Sequence, residues 1–172
     1  DSLEDLDDMV KELIEQDNQI DEHRYALERY VHQILNYPSL GRIIDVTPVE
    51  CLHYSENTRL IERIGDYIMK LAKNLIIQPI SDRKFILKHL KYMYETYNTI
   101  QDFYWRTDSL RFFNLIREIK EYATESKQII YEDHPDTEYL IPIRRVCNIC
   151  SDIAEIRIND IISRQQAQEN HQ

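Results

Sequence analysis

The sequence predicts an all-α protein: a long amphipathic, coiled-coil-like N-terminal helix followed by a compact multi-helix bundle or a short stack of helical pairs. Three observations predict it. An unbroken heptad register opens the chain, with Leu3, Val10, Asp17, Arg24 and Val31 seven apart and Leu6, Leu13, Ile20, Leu27 and Ile34 three residues after each. This 3-4 spacing presents one narrow apolar seam along a helix. Only two glycines, Gly41 and Gly65, occur in 172 residues, too few for the hairpin turns, bulges and phosphate-cradling loops of β-rich or nucleotide-binding folds. Pro38, Pro48, Pro79 and Pro135 fall where apolar periodicity lapses, and so punctuate helices.

The first helix is expected over residues 3–36, about 50 Å long at a rise of 1.5 Å per residue. Ser2 with Asp5 resembles a capping arrangement, and the acids of the first turn complement the helix dipole. A break at Asp17-Asn18-Gln19 is the competing reading, because Ile14, Tyr30 and Leu35 fit a 3.6 period as well. Thr47-Pro48-Val49-Glu50 offers a cap hydroxyl, a proline at the first helical position and a glutamate to close a capping box. It predicts a short helix through His53.

The next helix is expected over Asn57 to Ile77, with Leu60, Ile61, Ile64, Ile68, Leu71 and Leu75 on one stripe. Ser81 caps another, which carries Phe85, Ile86, Leu90, Met93, Tyr97 and Ile100. Asp108 caps a third, with Leu110, Phe113, Ile116 and Ile119. The last bears Ile143, Val146, Cys147, Cys150, Ile153 and Ile161, its first turn beginning at Glu138 or at Pro142. The expected organisation is an acidic docking or dimerisation arm over 1–36, a helical body over 37–164 and a disordered polar tail over 165–172.

Composition narrows the function classes. An apolar content of 42% with 30% charged residues describes a globular chain, not a disordered one. No run approaches the roughly 18 to 20 apolar residues of a membrane span, so no membrane partner is expected. The acidic N-terminus resembles neither a secretory signal nor a mitochondrial presequence. Cys51, Cys147 and Cys150 form an odd set without the density of a disulfide scaffold, which favours a reducing, intracellular compartment, cytoplasm or nucleus. The net charge of −10 is uneven: residues 1–22 hold ten acids against Lys11 alone, whereas residues 59–91 hold eight bases against three acids. The two stretches can attract each other or different partners.

No constellation with strong catalytic spacing occurs, and no enzyme activity and no cofactor are assigned. Glu50-x-x-His53 has the spacing of half a di-iron site, but no second Glu-x-x-His exists to complete it. Cys147-x-x-Cys150 shares one helix face, and Cys51-x-His53 could complete a Cys₃His zinc site. Val146, Ile149 and Ile153 surround that pair with apolar neighbours, so packing as small buried hydrophobes is the preferred reading. The remaining histidines are scattered.

Tyr92, Tyr94, Tyr97, Phe103, Tyr104, Trp105, Phe112 and Phe113 cluster at the junction of two expected helices, flanked by Lys88, Lys91, Arg106 and Arg111. Such a composition packs a core, forms a hot-spot groove for a peptide, or grips single-stranded nucleic acid by stacking and phosphate contacts. The leading reading is a non-enzymatic interaction module, an assembly subunit, adaptor or scaffold. It would bind a partner helix or peptide, or a second copy of itself, through the seam of Leu6, Val10, Leu13, Ile20, Leu27 and Val31. Its groove would comprise Lys88, Lys91, Tyr97, Tyr104, Trp105, Arg106 and Arg111. Asp17 and Arg24 interrupt the seam, where polar residues fix register or partner choice. The alternative is a nucleic-acid-binding helical domain using the basic 59–111 surface, with the acidic arm competing for it. A small helical metalloprotein is the third class.

Overall fold

Six α-helices, and no strand among the described residues, carry the chain: α1 (Ser2–Asn36), α2 (Pro38–Ile43), α3 (Pro48–Ile77), α4 (Arg83–Phe103), α5 (Ser109–Tyr131) and α6 (Thr137–Glu169). The computed structural model describes the backbone of residues 2–106 and 109–169 and the side chains of residues 8–106 and 109–166. The Ser2–Asp5 cap, the seam positions Leu3 and Leu6, and the Asp108 cap lie outside the described side chains.

The most deeply buried helix takes the centre. α6 buries Leu140, Ile143, Val146, Ile149, Ile153 and Ala154 on several faces. It packs against α3, α4 and α5, and α1 lies outside, along α3. Cross-helix contacts set the directions. Glu50 meets Arg164, and Asn74 meets Glu138, so α3 runs antiparallel to α6. Lys120 pairs with Glu155 while Arg144 donates to the Ala123 carbonyl, so α5 is antiparallel as well. Ile100, Phe112, Ile116 and Ile119 close the core around α6.

Several boundaries differ from the sequence reading, each for a local reason. α1 is continuous through Asp17-Asn18-Gln19, which resolves the two readings in favour of one helix. The capping box at Thr47 is present, with Glu50 Oε2 accepting from Thr47 N at 2.7 Å and Thr47 Oγ1 accepting from Glu50 N at 3.2 Å. The helix it starts does not stop at His53. Cys51, Asn57 and Leu60 are all buried, and one α3 runs unbroken to Ile77. The short α2, led by Pro38 at its first turn, was not anticipated. Gly41 within it would place a Cβ 2.7 Å from the Val46 carbonyl oxygen, so the reversal between α1 and α3 needs glycine there.

Asp82, not Ser81, caps α4, its carboxylate accepting from Phe85 N at 3.0 Å. The Ser81 amide is committed elsewhere, to Asp136. α6 begins at Thr137 and continues through Pro142. A proline inside a helix leaves the carbonyl four residues back without its donor, here that of Glu138. Asn74 Nδ2 supplies the missing bond at 2.9 Å. At its other end α6 runs to Glu169, past Gln165 where fraying was expected.

Candidate functional site: a cleft where four helices meet

The polar machinery gathers where the start of α3 meets the end of α6. The capping glutamate Glu50 also pairs with Arg164, whose Nε lies 3.4 Å from Asp160. Asp160 bonds Arg157 and stands 3.6 Å from His53 Nδ1. Arg157 in turn approaches the ring of Tyr104, 5.5 Å from its centroid. Tyr104 comes from the end of α4, and its hydroxyl accepts from Asn57 Nδ2 of α3 at 2.7 Å. Burial pushes the Tyr104 hydroxyl above its ordinary pKa, more than neighbouring Arg157 draws it down, so it stays protonated at neutral pH.

Beside this network lies a cleft of about 320 Å³. Leu27 reaches it from α1, Asn57 and Ile61 from α3, Tyr97 and Ile100 from α4, and Ile153 from α6. Tyr104 and Trp105 form one edge, their rings perpendicular with centroids 5.0 Å apart. Trp105 is 77% exposed. Among the described residues no charged side chain lines the cleft.

The cleft therefore unites four residues singled out in the sequence: Leu27, Tyr97, Tyr104 and Trp105. The others are placed elsewhere. Val10, Leu13 and Ile20 are half-buried and Val31 is buried on an α1 that packs along α3. Lys88 borders a separate groove between α4 and α5 with Glu118, Glu121 and Glu125. Lys91 pairs with Glu95 at 3.7 Å. Arg106 and Arg111 both stack on Phe103, at 4.9 and 3.7 Å. Arg59, from the basic stretch, is matched to Glu28 of α1 at 2.8 Å. The acidic arm and the basic stretch thus meet within the chain.

Sequence reasoning missed Asn57, a polar residue on an otherwise apolar α3 face. It also missed a carboxylate cluster across α1 and α3. Burial raises the pKa of Asp17, reinforced by Asp66 and Asp21 and opposed by Lys73. Burial and Asp66 likewise raise Glu62. Gly65 creates the close approach: a Cβ there would lie 3.0 Å from Asp17 Oδ1. A folded-state pKa above the unfolded value means that ionisation of Asp17 costs stability, and the cost disappears as pH falls through the folded pKa. Asp17→Asn is expected to raise the melting temperature at pH 7. The gain should vanish below about pH 4, where the unfolded carboxyl is also protonated; thermal melts across that range check it.

The cysteines are buried side chains. Burial is the main cause of their raised pKa values, that of Cys150 to about 12, and Cys147 is raised further. Among the described residues no three or more histidines, cysteines and carboxylates gather to hold a metal, so Cys51 and His53 do not join Cys147 and Cys150.

Residues 1–75 are similar to the family described as the PhoU domain, a helical bundle domain. The match spans α1, α2 and α3 to Leu75, and so includes the heptad seam. No curated protein and no solved structure matches the chain. Among the described residues, no helix is long and apolar enough to cross a membrane.

Proposed function

We propose that this chain is a non-enzymatic regulatory module that acts by docking a protein partner on the surface around Trp105. The PhoU likeness supports the class of function: PhoU domains are helical domains often involved in protein interactions and in regulation of phosphate transport, and the family is regulatory and non-catalytic. The observation that carries the location is exposure. Trp105 at 77%, Leu110 at 69% and Phe113 at 54% stand in solvent around the α4–α5 connection. Tryptophan and arginine dominate hot spots, and exposed apolar patches mark interaction sites. Arg106 and Arg111, stacked on Phe103, supply the flanking positive charge. The seam of α1 is engaged with α3, so in this reading it holds the scaffold and the aromatic surface meets the partner.

The test is a binding titration with the partner captured from the native cell. Trp105→Ala should weaken affinity about 30-fold, equivalent to about 2 kcal/mol, while leaving the thermal melt unchanged because the side chain is exposed. Equal affinity of the variant would remove Trp105 from the interface. Charge reversal at Lys84, Lys88 and Lys91 together tests the nucleic-acid alternative. Submicromolar DNA or RNA binding at about 150 mM salt, lost in that triple variant, would favour it.

A further inference from the structure

We infer that the four-helix cleft is a binding site for a small, uncharged, largely apolar planar molecule carrying one hydrogen-bond donor. This inference concerns a ligand and is independent of the docking proposal. The cleft of about 320 Å³ lies at the low end of the range of small-molecule sites, roughly 300–1,000 Å³. Its walls select for an apolar, flat occupant. Leu27, Ile61, Ile100 and Ile153 supply aliphatic surface, and the rings of Tyr97 and Tyr104 supply aromatic faces. Among the described residues no charged side chain lines the cleft to compensate an ionised ligand for lost water.

Thr58 and Gln101 also line the cleft, and Asn57 supplies its buried, unpaired polar determinant. It lines the cleft, is only 5% exposed, and gives its Nδ2 to Tyr104. Among the described residues its Oδ1 has no hydrogen-bond partner. A buried acceptor without a donor costs free energy until one arrives. A ligand N–H or O–H in this cleft provides it. Because Leu27 belongs to α1 and the other walls to α3, α4 and α6, an occupant would also fasten α1 to the body.

Indole and 1-methylindole are the probes, alike in ring system but differing in the donor. Methyl-resolved NMR titration should show saturable shifts at Leu27, Ile61 and Ile153, with Ile119 of α5, which does not line the cleft, unmoved. Indole should bind the wild-type protein about tenfold more tightly than 1-methylindole, the worth of one hydrogen bond. Asn57→Leu should abolish that preference. Absence of saturable shifts at the cleft methyls, or equal affinity of the two probes for the wild-type protein, would overturn the inference. The wild-type comparison decides the question even if Asn57→Leu does not fold.

Discussion

Asp136→Ala is expected to unfold the end of the bundle where α3, α4 and α6 meet, at a cost of about 3 kcal/mol or more. Asp136 is fully buried, and its two carboxylate oxygens accept the backbone amides of Ser81 and Asp82, each at 2.8 Å. Two charge-assisted bonds are lost together, and two amides lose their acceptors. Burial would raise the pKa of this carboxyl. The Ser81 and Asp82 amides outweigh it, and with nearby His134 they hold the group below its ordinary value. Its contribution is therefore present above the unfolded pKa of about 3.9 and is lost as pH falls through the lower folded pKa. Denaturant unfolding at pH 7 and at a series of values descending below about pH 4 checks both halves. Asp136→Asn should retain part of the stability and lose the acid dependence. A variant as stable as the wild type at pH 7 would show that the amides are satisfied by water instead.

Leu27→Asp is the second large effect, with an expected loss of about 2–3 kcal/mol. The substitution removes apolar surface packed toward Thr58 and Ile61 of α3 and places a carboxylate on the seam beside Glu28. Among the described residues α1 packs chiefly on α3 and α2, so the damage should be local. Hydrogen exchange should accelerate throughout α1 while α6 remains protected. Unchanged exchange in α1 would mean that the seam does not hold it against α3.

How legible these features were in the sequence follows from their range. The heptad seam is a periodic signal from local spacing, and the side toward α3 matches it from Val10 to Val31. The capping box at Thr47 is likewise a local device, and it was found where four consecutive residues placed it. Asp136 was not legible, because its partners are the amides of residues more than fifty positions earlier. The continuity of α6 through Pro142 was one of two readings open in the sequence, and the bond that supports it comes from a side chain of α3. The aromatic cluster was visible as composition, but composition does not say which rings face inward. Phe112 is buried in the core, Tyr104 borders the cleft and Trp105 stands in solvent. Asn57 escaped notice for the same reason: its polarity marks a site only once Ile61, Tyr104 and Ile153 are seen around it.

On the proposed reading, a protein partner docks on the Trp105 surface while α1 stays on the body. Hydrogen–deuterium exchange of the chain, free and bound to its captured partner, tests it most directly. The predicted result is new protection over residues 101–113, with exchange along α1 unchanged. Protection confined to α1, with residues 101–113 exchanging as freely as before, would contradict it.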